Sequence, residues 1–378
     1  MLLGRLNEHA GGGERAAVGL ATSLPPDQFE VVVCTTRQSG GEPVATLARA
    51  GVRHVDLGRT HRFDVRAPIA LVRLLRREHF DVLHAHMFGA NAWAAVLGRL
   101  ARVPVVIAHE QTWSYEGRPL RRIADAAIGR LVHAFVAVSS RDAERMAALE
   151  RVPAGKIEVI PNAWVPRDGG ATGDLRPELG LPADTPLIAT VAILRPQKRL
   201  DVLLEAFVRV LATVPEARLV IVGDGEERDD LQSRTTALGI QDSVRFTGVR
   251  QDVATVWRSA DVAALSSDYE GTPLSVLEAM AAGVPLVATE VGGMRDIAGD
   301  DGRRHGVVLV PRRDPDALGS ALVGLLTDPT LRRQLGEAAR ARAGDFTGER
   351  HAQRCADLYL RLLARPRRRR SASRALAE

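Results

Sequence analysis

The sequence predicts an α/β protein of two successive domains, each built on a parallel sheet. Three observations carry this: the length, an alternation of short β-branched runs with helical patterns, and a break in that alternation near the middle. At 378 residues the chain exceeds the roughly 250–300 residues at which a single hydrophobic core stops growing. Strands separated by helices of this length need crossover connections, and hence parallel pairing.

The first series of strands reads EVVVCTT, DVLHAH, VPVVIAH and HAFVAVSS. The second reads PLIATVA, ARLVIVGDG, SVRFTGV, DVAALSS and VPLVATEVGG, each again followed by a helical segment. Residues 162–186 between them are rich in Pro, Gly and Asp and lack sustained periodicity, as a linker does. The expected organisation is an N-terminal domain over 1–164, a linker over 165–185 and a C-terminal domain over 186–345. A terminal amphipathic helix over 346–364 is expected to pack back toward the N-terminal domain, ahead of a basic disordered tail over 365–378. No short-period repeat is present, which excludes a solenoid.

Composition narrows the function. Hydrophobic residues make up 46% and charged residues 26% of the chain, and its two cysteines, Cys34 and Cys355, lie far apart. A disulfide framework is not expected, and a reducing, cytoplasmic setting is. No run approaches the roughly 20 apolar residues of a membrane-spanning helix, and the start lacks signal-peptide character. The net charge of +5 equals that of residues 365–378 alone, where Arg365, Arg367–Arg370 and Arg374 face only Glu378. The body is therefore neutral, which argues against a nucleic-acid partner. The tail suits either a solvated arm or peripheral contact with an anionic membrane face.

The most informative segment runs from Tyr269 to Pro285, YEGTPLSVLEAMAAGVP. Pro near its first turn and Gly then Pro after its last predict a helix from Pro273 to Ala282. Backbone N–H groups between Gly271 and Leu274 then stand at the helix N-terminus, where partial positive charge suits a phosphate or a polar sugar edge. Glu270 precedes the helix and Glu278 lies within it, an acid out of place on the apolar run LSVLEAMAA. A second segment, VAILRPQKRLD at 191–201, takes a strand end into a helix. Lys198 is one of two lysines, with Lys156, among 51 basic residues. A compact ammonium retained at the C-terminal end of a strand suits a diphosphate.

These two segments resemble the donor site of glycosyltransferase family 4, in which two acids are separated by seven intervening residues as Glu270 and Glu278 are. Gly223-Asp224-Gly225, Phe246-Thr247-Gly248 and Gly292-Gly293 follow in family order, each placing glycine beside a strand end. Gly11-Gly12-Gly13-Glu14-Arg15 resembles the family's first glycine-rich loop and differs from the spaced G-x-G-x-x-G of dinucleotide binders. The strand before it, MLLGRL, is short for a central strand, as expected where residues precede the given start. Ile193 and Leu194 stand where family members often carry Gly.

The resemblance implies a GT-B architecture: two Rossmann-like domains facing across a cleft, donor in the C-terminal domain and acceptor in the N-terminal one. It implies that Glu270 contacts donor-sugar hydroxyls, that Glu278 holds the nucleotide ribose, and that Arg195 and Lys198 bind the diphosphate. His109 is implied to face the donor sugar and phosphate. Gly271, Thr272, Pro273, Leu274, Gly12, Gly13 and Gly248 are the remaining expected donor contacts. Transfer is implied to retain anomeric configuration with no cofactor and no obligatory metal. The expected acceptor is a glycan or lipid-linked acceptor of cell-surface polysaccharide or glycolipid assembly, at the inner face of the membrane. A nucleotide-sugar epimerase and a non-catalytic nucleotide-sugar-binding protein are the alternatives. His84 and His86 join His109 at strand ends; without a clustered ligand pattern or a nearby Cys, no zinc site is expected from them.

Overall fold

The computed structural model describes residues 1–7, 11–61, 63–111, 119–165 and 173–365. The expected basic tail falls almost wholly outside them.

Thirteen strands form two all-parallel sheets. The first holds β1 (Leu2–Leu3), β2 (Val32–Thr35), β3 (Arg53–Asp56), β4 (Val82–His86), β5 (Val105–Glu110), β6 (Ala134–Ala137) and β7 (Ile157–Val159), in the order β3-β2-β1-β4-β5-β6-β7. The second holds β8 (Leu187–Val191), β9 (Arg218–Val222), β10 (Val244–Gly248), β11 (Val262–Leu265), β12 (Leu286–Thr289) and β13 (Val307–Val310), in the order β10-β9-β8-β11-β12-β13. Crossover helices cover both faces of each sheet, so central strands are largely buried and mostly apolar. All four residues of β12 are buried, whereas Arg53 and Asp56 of edge strand β3 are exposed. Three strands lie beyond the sequence reading. Two, β3 and β7, are short edge strands without an apolar run, and the third is β13. The opening strand is central despite its two residues, with Leu2 and Leu3 fully buried between β2 and β4.

The expected linker over 165–185 is only partly one. Leu175 is fully buried, its N–H donates to Ser259 Oγ at 2.7 Å, and Leu179 and Leu181 pack on the same core. The stretch from Asp174 onward thus belongs to the C-terminal domain. Its one helix among the described residues, Leu175–Glu178, is four residues long, too short to leave a periodic signal.

The last helix, Gly348–Leu363, leaves the C-terminal domain and lies on the first. Its Ala352, Cys355, Ala356, Leu358, Tyr359 and Leu362 join one core with Leu20, Val105, Ile107 and Val136. Complete burial of a large apolar side chain stabilises by about 1.5–3 kcal/mol, so this helix is a structural part of the N-terminal domain. Two chain crossings therefore connect the domains, and they run side by side. Trp164 bridges Thr347, its N–H donates to the Phe346 carbonyl at 3.0 Å and its indole to that of Ala343 at 3.1 Å. Among the described residues no helix is long and apolar enough to cross a membrane.

Candidate active site

In each sheet the strand order reverses once, between β1 and β4 and between β8 and β11. Loops leaving the C-terminal ends of such a strand pair diverge to opposite faces and leave a crevice. Gly12 and Gly13 follow β1, His86 ends β4, Arg195 and Lys198 follow β8, and Glu270 to Leu274 follow β11. Both crevices therefore carry residues singled out by sequence. Gly248 ends the edge strand β10, where its carbonyl accepts from Gly223 N–H at 2.8 Å.

The β8 and β11 loops are tied together. Lys198 Nζ donates to Glu270 Oε1 at 2.6 Å, and Ser267 Oγ donates to the same oxygen at 2.6 Å. Both charged groups are largely buried, with side-chain exposures of 17% and 6%. Ser266 Oγ caps the Lys198 carbonyl at 2.8 Å, and Tyr269 OH reaches Gln197 Oε1 at 2.9 Å. Arg195 is exposed and its guanidinium makes no ion pair or hydrogen bond among the described residues. Leu194, standing where glycine is common in the family, is fully buried in the core and donates its N–H to Asp224 O at 3.0 Å.

Glu270 and Gly271 rest on the Gly292–Gly293 turn. Gly292 has φ of +42°, and a Cβ there would lie 1.7 Å from the Glu270 carbonyl. No residue with a side chain fits that approach without moving the Glu270 loop. The helix after it spans Leu274–Ala282, with Pro273 in the capping position. The N–H groups of Gly271, Thr272 and Leu274 donate to no protein acceptor among the described residues. Pro273 has none, so the positive charge at this helix end is carried by the amides on either side of it.

The N-terminal domain meets this loop directly. Thr272 Oγ1 donates to the Val138 carbonyl, Asn162 Nδ2 donates to the Thr272 carbonyl at 3.3 Å, and Ser140 N–H donates to Asp296 Oδ2 at 2.6 Å. A Cβ on Gly271 would stand 2.6 Å from Val138 and 3.0 Å from the Gln111 carbonyl. Gly12 and Gly13 open the helix Gly12–Ser23; Gly12 faces Leu274, and a Cβ on Gly13 would press on Gln111 at 3.0 Å. From the same helix Arg15 Nη2 pairs with Glu278 Oε1 across the domains.

Sequence reasoning assigned Arg15, Ser267, Gln111 and Asp142 no role. Asp142 is buried beside the Gly271 loop, and its Oδ2 accepts from Ser139 Oγ at 2.7 Å. Burial pushes its carboxyl up to about 6; the Ser139 hydroxyl and Arg145 oppose this, while the charges of Asp296 and Glu270 add to it. Arg15, Gln111 and Asp142 become visible only through contacts between residues remote in sequence, whereas Ser267 acts on Glu270 three positions away.

His109 on β5 is fully buried. Its Nε2 accepts from the Gln111 amide at 3.2 Å and its Nδ1 stands 3.2 Å from His84 Nε2. Gln111 thus lies beside His109 on one side and under Gly13 on the other. Burial first, then neighbouring imidazoles, hold His109 well below the ordinary histidine range, so the ring is neutral at pH 7.

Comparison with known proteins places this geometry. Residues 172–342 match the family described as Glycosyl transferases group 1, and residues 10–164 match Glycosyltransferase Family 4. A D-inositol 3-phosphate glycosyltransferase of Kineococcus radiotolerans is 30% identical over 93% of this chain and 91% of its own length. The chain belongs to glycosyltransferase family 4. The same family 4 chain is 25% identical, over 92% of its length and 93% of the relative's, to the Escherichia coli UDP-Gal:alpha-D-GlcNAc-diphosphoundecaprenol alpha-1,3-galactosyltransferase. Among solved structures, Anabaena Alr3699/HepE in complex with UDP-glucose superposes with a TM-score of 0.81 at 20% identity, covering 95% of this chain and 99% of that one. WaaG, a glycosyltransferase involved in lipopolysaccharide biosynthesis, superposes at 0.71 with 18% identity over 95% and 99% of the two chains. The two-sheet architecture of this family 4 glycosyltransferase is GT-B.

Proposed function

We propose that the chain is a retaining glycosyltransferase that moves a sugar from a nucleotide diphosphate donor onto an acceptor hydroxyl in cell-surface polysaccharide or glycolipid assembly. The observation that carries this reading is the buried Lys198–Glu270 pair, 2.6 Å apart, beside the open amides of Gly271, Thr272 and Leu274. Lys198, Arg195 and these amides take up the charge that develops on the diphosphate, Glu270 holds donor-sugar hydroxyls and Glu278 holds the ribose. Gly12, Gly13 and His109 close on the donor from the other domain. The acceptor hydroxyl attacks the anomeric carbon from the face the diphosphate leaves, and its proton departs with the phosphate oxygen. Preorganised donors aimed at developing charge supply the catalysis, with no enzyme nucleophile. The named activities of the E. coli relative and the UDP-glucose complex of the Anabaena neighbour support a uridine nucleotide donor. The lipid-linked acceptor of the former supports work at the inner membrane face.

The two acids are separable by what each touches. Glu278→Ala is expected to weaken both the free nucleotide diphosphate and the nucleotide sugar to a similar extent, because ribose is common to them. Glu270→Ala is expected to spare the free nucleotide diphosphate and weaken the complete donor by about 1.5–3 kcal/mol, the range for a charged hydrogen bond. Titration calorimetry with both ligands on both variants checks this, and equal effects of Glu270→Ala on the two ligands would overturn the assignment. Transfer is further expected to keep its rate in EDTA and to gain nothing from added Mg2+ or Mn2+. Loss in EDTA that either ion restores would show that a metal holds the diphosphate.

A further inference from the structure

We propose that His84, His86 and His109 form a binding site for one divalent transition metal ion of the zinc class, buried in the N-terminal domain. His84 and His86 are two apart on β4 and so share a face, and the β4–β5 register sets His86 directly beside His109. The three rings are 0–2% exposed, with centroids 4.4 to 5.2 Å apart. One nitrogen from each lies within 4.8 Å of the other two.

The spacing fits an ion. Tetrahedral coordination at the usual zinc–imidazole length puts two ligand nitrogens about 3.3 Å apart; His84 Nε2 and His109 Nδ1 stand at 3.2 Å. His86 is the second, independent observation. Both its ring nitrogens are buried without a hydrogen-bond partner among the described residues, an arrangement that costs stability unless a ligand satisfies them. Lone pairs from three neutral imidazoles satisfy zinc, copper, iron or nickel. Tyr359 OH, 2.7 Å from His84 Nδ1, fixes the ring so that Nε2 is the ligand, the support metal-bound histidines ordinarily receive. A water completes the set. No thiolate is needed.

The site shares His109 with the donor-facing side of the N-terminal domain but none of the diphosphate-binding residues, which lie on the other domain's loops. An ion here takes the lone pair of His109 Nδ1 and leaves the ring proton on Nε2, where the Gln111 amide turns its buried, otherwise unpartnered oxygen to accept it. The test is metal content of the full chain purified from zinc-supplemented cells and dialysed, followed by Co2+ substitution and visible spectroscopy. About one Zn2+ per chain is expected, with a tetrahedral Co2+ spectrum. His86→Gln and His84→Gln are each expected to weaken Zn2+ binding by at least about tenfold, while the exposed His61→Gln leaves it unchanged. Zinc is also expected to raise the Tm of the wild type and of His61→Gln, since an ion bound only by the folded state stabilises it. Substoichiometric zinc with no Tm shift in the wild type would overturn the proposal whether or not the variants fold. So would folded His84→Gln or His86→Gln protein that binds zinc as tightly as the wild type.

Discussion

Lys198→Ala is expected to lower kcat/KM for the complete donor by roughly 10²–10³, the loss that follows removal of one preorganised charge-stabilising donor. The ammonium is 2.6 Å from Glu270 Oε1 and mostly buried, so it meets a diphosphate in a site largely shielded from water. Two effects combine in this variant. The phosphate loses one of its cations, and Glu270 is left as a buried carboxylate to which, among the described residues, Ser267 Oγ still donates. Stranding one partner of a buried pair costs roughly 3–5 kcal/mol of stability, so Tm is expected to fall as well. Glu270→Gln added to Lys198→Ala removes the stranded charge. The double variant is expected to recover stability and none of the rate. Steady-state kinetics with thermal unfolding on both variants separates the two effects; kcat/KM within about threefold of wild type for Lys198→Ala would remove Lys198 from the reaction.

Stability is expected to fall steeply as pH drops below about 6.5. Burial holds His84, His86 and His109 well below the ordinary histidine value and pushes His351 down to about 4. A group whose folded pKa is depressed stays neutral in the native state while the unfolded chain takes up a proton, so its contribution is complete above 6.5 and lost on acidification. Asp125 and Asp142 oppose this. Burial raises both carboxyls to about 6, so between 6 and 3.8 the native state binds the extra protons. The four histidines outweigh the two aspartates, so the unfolded chain binds more protons than the native one and stability falls as pH drops below 6.5. An ion on the histidine cluster acts in the same direction, because protons compete with it for the rings. Urea unfolding at pH 7.5, 6.5 and 5.5 measures the slope, and stability that is flat or rises toward pH 5.5 would show that the imidazoles titrate in the folded state.

The two-sheet architecture was legible because parallel strands buried on both faces write themselves as apolar runs, as in VPLVAT of β12. The seat of the donor loops was legible for a local reason too: Gly271, Pro273, Gly283 and Pro285 bracket a helix within seventeen residues. What local pattern cannot supply is a contact made across the domains. Glu278 stood out as an acid on an apolar helix, but its partner Arg15 is 263 positions away. The spacing of His84 and His86 puts them on one face, yet the third imidazole joins them only through the pairing of β4 with β5. The absence of a clustered metal pattern in sequence was therefore no guide to the cluster in space. Leu175, Leu179 and Leu181 were hidden for the opposite reason, since prolines and glycines around them outweighed three leucines that pack on the core.

The return of the helix Gly348–Leu363 to the first domain bears on the order in which the protein is made. Residues 1–164 leave the ribosome with a hydrophobic groove along β5 and the helix Gly12–Ser23, and the segment that fills it is translated only after the whole second domain. At about 5–20 residues per second, that interval is roughly 10–40 s. The C-terminal domain meets no such delay, because apart from the short crossing its core is contiguous in sequence. Folding during synthesis therefore runs out of order, with the second domain finished first and the first domain sealed by the last helix to emerge.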